Sequence, residues 1–264
     1  MIQPVNLIVG KPDSLTEYLL RLGDSSLILG HRVSEWCGHG PMLEEDIAMA
    51  NVGLDLLGAA RLLLTEAGRR MQPAQTEDQL AYFRGEAQFK NFTLCELPNS
   101  GIGKGQHTGD YAFTIAKNLC YASFMALLWE KLAAHTDTAL SGIAAKAVKE
   151  ARYHATHARG WAIRFGDGTA DSHARMQAAI DAAWPYTNEF FFDDSVTANS
   201  NIAHAGLKPQ WLHMMQNTLD EATLRMPTES KATPTGRFGQ HSEHLGFLLA
   251  EMQVLARQHP QATW

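Results

Sequence analysis

The chain has 264 residues, 45% of them apolar and 19% charged, enough to bury a sizeable core and ordinary for a globular protein. Its 22 basic and 28 acidic residues leave a net charge of −6, and the basic ones are scattered, which argues against nucleic acid as a partner. Cys37, Cys95 and Cys120 lie far apart with no Cys-x-x-Cys pair, which excludes a zinc ribbon or dithiol redox centre and suits reduced thiols.

Met1 to Lys11 lack the charged start and apolar run of a signal peptide. No uninterrupted apolar run approaches the ~20 residues of a membrane span, so a cytoplasmic protein with no membrane partner is expected, and Asn91-Phe92-Thr93 carries no weight as a glycosylation site. Ser14-Leu15-Thr16-Glu17 reads as a capping box that opens a first helix running towards Trp36. Gly38, Gly40 and Pro41 break it, and Pro41 suits the first position of a second helix with Glu44, Glu45 and Asp46 in its first turn. That helix carries Leu43, Ile47, Ala50, Leu54 and Leu57, a 3.6-residue stripe expected to face the core. A shorter helix is expected from Glu77 to Phe89, then a glycine-rich loop, then long helices capped by Asp110 and by Ser141. Asp171 to Trp184 reads as helix, Asp193 to Gly206 as loop, Pro209 to Leu224 and Gln240 to Gln258 as the last two helices. Thr228 to Gly239 reads as a polar connection, mobile or in contact with a partner. With no β-type alternation and no internal repeat, the pattern is all-α: an antiparallel bundle of six to eight helices around a four-helix core, residues 1–264 as one domain.

The chemistry is defined by what is missing. A carboxylate-bridged di-iron bundle draws a Glu from each of two helices and a Glu-x-x-His from each of two others. No Glu or Asp in this chain has a His three residues after it. Asp55 lies among Leu54, Leu56 and Leu57 with Asn51 one turn before, and a carboxylate there is costly to bury unless paired or bound to metal. Glu150, His154, His157 and Trp161 share one helical stripe, which reads as a polar seam, or as a metal site if a second helix adds ligands. His241 and His244 read as surface or interface residues. Gly101-Ile102-Gly103-Lys104-Gly105 lacks the spacing of a phosphate loop, although Lys104 could serve an acyl-CoA-binding module. No Gly-x-Ser-x-Gly elbow is present.

Three stretches carry a resemblance: Leu27 to Arg61 (LILGHRVSEWCGHGPMLEEDIAMANVGLDLLGAAR), Lys146 to Thr169 (KAVKEARYHATHARGWAIRFGDGT) and Gly236 to Gln253 (GRFGQHSEHLGFLLAEMQ). Together they resemble the family of C subunits of the phenylacetyl-CoA 1,2-epoxidase complex of phenylacetic acid degradation, over nearly the whole chain. The resemblance implies a ferritin-like bundle inside a bacterial multicomponent monooxygenase that epoxidises the aromatic ring of phenylacetyl-CoA. It implies a structural, non-catalytic role beside a homologous catalytic A subunit, which holds the di-iron centre, while a reductase and other subunits bring electrons from NADPH. Laid over the A-subunit motifs, Glu35 and Asp55 keep carboxylates and His154 is retained, whereas Gly58 and Ala151 stand where a His and a Glu would bind iron. A vestigial site is therefore expected, with Glu35, Asp55 and His154 hydrogen-bonded together, no catalytic residue and no cofactor in this subunit. The alternative is an independent metalloenzyme using Glu150, His154 and His157.

Overall fold

The computed structural model describes residues 12–100, 110–228, 230, 234–260 and 262, and all regular structure among them is helical. The glycine-rich loop with Lys104 and the N-terminal segment Met1 to Lys11 lie outside the described residues. Helix α1 spans Ser14–Ser34 and is opened by Asp13, whose carboxylate accepts from the Thr16 amide at 2.9 Å. Ser14, expected as the cap, is already inside the helix, and Glu17 pairs with Arg21 one turn on. Helix α2, Leu43–Arg70, begins after an extended Met42, so Pro41 lies two residues outside it.

Shorter elements follow. The segment expected as one helix from Glu77 to Phe89 is α3, Glu77–Tyr82, and a separate 3-10 turn, Glu86–Gln88, with α4, Thr93–Glu96, after it. The next long helices are α5, Tyr111–Leu132, capped by Asp110, and α6, Thr138–Gly166. Asp137 rather than Ser141 caps α6, through the Leu140 amide. Then come α7, Ala170–Ala183; α8, Ser195–Asn199, inside the stretch expected as loop; α9, Lys208–Glu221; and α10, Glu243–Gln258. The described end of the Thr228–Gly239 connection is anchored, not loose, since Arg237 is buried and donates to the carbonyls of Glu189 and Phe192.

The four long helices form two hairpins. In α1–α2, Gly23 lies against Leu64, Gly30 against Leu57 and Gly53 against Ser34, an antiparallel register along the whole length. A side chain at Gly23 would meet Leu64 at 2.8 Å, so glycine is what lets these helices touch. In α5–α6, Tyr111 packs edge-on against Trp161 at one end and Arg152 pairs with Glu130 at the other. Helix α5 is buried along all but its last turn, which accounts for a sequence apolar enough to cross a membrane. Helix α2 is also that apolar, yet only 44% of its apolar stretch is buried.

That difference inverts one expectation. The stripe Leu43, Ile47 and Leu54 faces outward, with exposures of 73%, 54% and 66%. The core face of α2 is Met49, Val52, Leu56, Ala60, Leu63 and Ala67. The helical period is as expected, and of the expected stripe Leu57 packs on Gly30 and Ala50 is half-buried, but the main buried face lies on another side of the helix. Where the hairpins meet, α2 and α6 are joined by polar pairs: Glu45 with His157, Asp55 with His154, and Arg70 with Asp137. The result is a ferritin-like antiparallel bundle with six further helices, α3, α4 and α7 to α10, packed around it among the described residues.

Candidate functional site

At the bundle centre the four long helices enclose a cavity of about 30 Å³. Helix α1 contributes Ser26 and Leu29, α2 Asp55 and Leu56, α5 Asn118, Ala122 and Met125, and α6 Glu150, Ala151 and His154. Each polar group reaches the cavity because it sits on the inward flank of a helix whose next turns are apolar. His154 is buried and its Nε2 lies 3.0 Å from Asp55 Oδ2. Burial pulls the imidazole below its usual range, against the opposing pull of Asp55, so the ring is neutral near pH 7 and donates Nε2–H to the carboxylate. Glu150 is held above the usual carboxylate range, first by burial and then by the negative charge of Asp55. Its nearest cation, Lys146, lies on the solvent side with 3.9 Å between Nζ and the carboxylate.

The expected triad is only partly assembled. Asp55 and His154 meet, whereas Glu35 does not join them. It closes the C-terminus of α1, nine residues beyond Ser26 and so about 13 Å along the axis. There it accepts from Arg32 Nη1 at 2.7 Å and from Asn99 Nδ2 at 2.9 Å. Gly58 does not line the cavity either; a Cβ placed there would meet nothing within 4 Å. Ala151 does line it, leaving space where a longer side chain would stand.

The three-residue metal site of the alternative is not formed. His157 is drawn to Glu45, with Nε2 2.9 Å from Oε2, and Tyr111 donates its hydroxyl to the same oxygen. Burial first, and then Glu45, raises the phenol above its usual range, so it stays a donor. Among the described residues no group of three or more His, Cys, Asp or Glu side chains has metal-binding geometry. A di-iron centre in this fold needs four carboxylates and two imidazoles. The cavity offers Asp55, Glu150 and His154, with Ser26, Asn118, Ala122 and Ala151 around them, and this donor set does not fit two irons.

Other sequence candidates lie elsewhere. His241 is interior rather than at the surface: Nδ1 lies 2.8 Å from Glu96 Oε2 and Nε2 3.0 Å from the Phe89 carbonyl. His244 sits in the first turn of α10. Asn91 is wholly buried against Glu96, out of reach of any glycan. Sequence reasoning missed Ser26 and Asn118. The signal that could have found them is a small polar residue inside an apolar helix, rare in a core without a partner or a purpose.

Comparison with known proteins agrees with this geometry. A family model described as phenylacetic acid catabolic protein matches residues 6–264. The chain is 41% identical over 257 residues to the C subunit of the 1,2-phenylacetyl-CoA epoxidase of Escherichia coli (strain K12), covering 96% of this chain and 100% of that protein. With its helical bundle and a match along almost its whole length, the chain belongs to the phenylacetic acid catabolic protein family.

Proposed function

We propose that this chain is the non-catalytic structural subunit of a cytoplasmic phenylacetyl-CoA epoxidase. In this reading it builds no di-iron centre of its own and supports a homologous catalytic subunit. The observation that carries the reading is the donor set at the bundle centre. Three ligating side chains stand where two irons would need six, and small or amide side chains fill the remaining positions.

The outer face of α2 supports the scaffolding half of the proposal. Leu43, Ile47 and Leu54 on α2 and Tyr153 on α6 are more than half exposed, and they belong to the two helices that form the seam. Contiguous exposed apolar surface of this kind marks interaction sites, and a permanent interface between subunits commonly buries roughly 2,000 Å² or more with an apolar centre.

The test is elemental mass spectrometry on this chain alone and on its complex with the homologous catalytic subunit, both purified without a metal-affinity tag from iron-rich medium. The proposal expects iron near zero in the chain alone and about two irons per catalytic subunit in the complex. About two irons bound to this chain would overturn it. So would failure of the two chains to co-purify.

A further inference from the structure

The central cavity is not sealed. Asp55 and Glu150 keep side-chain exposures of 37% and 26%, because α2 and α6 approach each other less closely than the helices within either hairpin do. The opening therefore lies between α2 and α6, where the carboxylates of Asp55 and Glu150 reach solvent.

Its chemistry is one-sided. Two carboxylates face it, and the single cation near them, Lys146, touches Glu150 only from outside. The neutral His154 ring has committed its Nε2–H to Asp55 and neutralises neither charge. Asn118 on α5 is 4% exposed and lines the same cavity; its amide nitrogen faces Met49 Sδ at 3.8 Å, and its carbonyl oxygen has no hydrogen-bond donor. A buried acceptor without a donor is costly, and so are two neighbouring carboxylates that share one cation, Lys146, held on the solvent side. Acceptors from three positions thus converge on the cavity, which has room for at least one water-sized group. An ammonium, a compact point charge with three donors and no acceptor, matches these acceptors.

We infer that the α2–α6 cleft is a socket for one lysine side chain of the catalytic partner, whose ammonium enters between Asp55 and Glu150 and donates to Asn118 Oδ1. This rests on the proposed pairing with a catalytic subunit and adds the chemistry that registers it. The apolar stripe of α2 supplies non-directional burial, which would tolerate sliding along the helix; a single buried charge pair beside it fixes the register.

The test uses the full-length chain and the homologous catalytic subunit, with affinity measured by interferometry for three forms. The isosteric double variant Asp55→Asn/Glu150→Gln removes the charges, and Leu54→Asp damages the apolar face. Thermal melting first confirms that both variants fold. The inference expects the double variant to bind about 30-fold more weakly or worse, the low end for truncating a buried hydrogen-bonded charge pair, and with a flatter dependence on salt. Carbodiimide cross-linking of the wild-type complex should join Asp55 or Glu150 to a lysine of the partner, located by peptide mass spectrometry. If Leu54→Asp abolishes binding while the double variant binds like wild type and no such cross-link forms, the socket is wrong and the cavity holds only water or a free cation. If neither variant weakens binding, the α2 face is not the interface, and the scaffold surface assigned above falls with the socket.

Discussion

Lys117 stands in the most thoroughly buried of the four long helices with none of its surface exposed. Its Nζ donates to the Leu97 carbonyl at 2.7 Å and to Asn99 Oδ1 at 3.1 Å, with no carboxylate bonded to it. Burial, aided by the nearby Arg32, lowers its pKa to about 7, from an unfolded value near 10.4. Between those values the unfolded chain holds the proton more tightly than the folded one, so this residue makes stability rise with pH through that window. Lys117→Met should cost about 1–3 kcal/mol at pH 9.5, where only the hydrogen bonds are lost and the acceptors are left unmet. The cost should shrink at pH 6, where the wild type carries a buried charge and the variant does not; urea unfolding at both pH values checks this, and an equal cost at both would refute the assignment. A buried cation with a partner behaves differently. Arg84 and Asp24 form a wholly buried ion pair, and Asp24 also accepts from the Lys90 amide at 2.8 Å. Arg84→Leu should therefore cost about 3–5 kcal/mol in the same assay, because it strands a buried carboxylate rather than only removing a contact. A cost below about 1 kcal/mol would mean that Asp24 finds another partner or is protonated there.

At the scale of elements, α2 separates what could be read from the sequence from what could not. Its length, its acidic first turn and its helical period follow from Leu43 onward, but two faces compete for the core. Leu43, Ile47 and Leu54 make as good an apolar stripe as Met49, Val52, Leu56 and Leu63, and the close approach of α1 at Gly23 and Gly30 turns the second set inward while it also takes in Leu57, which continues the first. That choice is made by a partner helix, so no single-helix pattern contains it. The pairing of Asp55 with His154 was legible through the family resemblance, which lays both residues over ligand positions of one site. The exclusion of Glu35 was not, because the last turn of α1 draws it to Arg32 and Asn99, and Asn99 lies in a loop without periodicity. Gly58, which the resemblance sets at a ligand position, has open space around it and packs against nothing there. A helical glycine with room for a methyl group costs stability through the unfolded state alone. Gly58→Ala should raise the stability of the isolated chain by about 0.5–1 kcal/mol, visible as a higher urea midpoint with an unchanged slope. A loss of stability would mean that α2 needs that glycine for a contact made in the folded chain.

The whole molecule is two tight hairpins held together by a thinner seam. Within α1–α2 and α5–α6 the helices interlock along their length, whereas α2 and α6 meet mainly through Glu45–His157, Asp55–His154 and Arg70–Asp137. The surrounding elements brace the ends: α10 donates from Gln253 to the carbonyls of Ala81 and Arg84, and Arg21 on α1 pairs with Asp194 at the start of α8. On the outer side of α2, Glu77 of α3 accepts from Arg61 and Thr65 towards the C-terminal half, while Leu43, Ile47 and Leu54 nearer the N-terminus stay exposed. A bundle built this way is stabilised by whatever spans its seam. Binding of a catalytic partner across α2 and α6 should therefore raise the melting temperature with partner concentration, since a ligand specific to the folded state stabilises it by RT ln(1 + [L]/Kd). At a partner concentration about 100 times Kd the gain is about 2.7 kcal/mol, which for a chain of this size corresponds to a rise of about 5–10 °C. Hydrogen exchange on the same complex should slow in α2 and α6 and leave α5, already enclosed by its own chain, unchanged. A melting temperature independent of partner concentration would mean that the chain completes its fold alone and that its apolar outer face serves something other than a stable interface with a second protein.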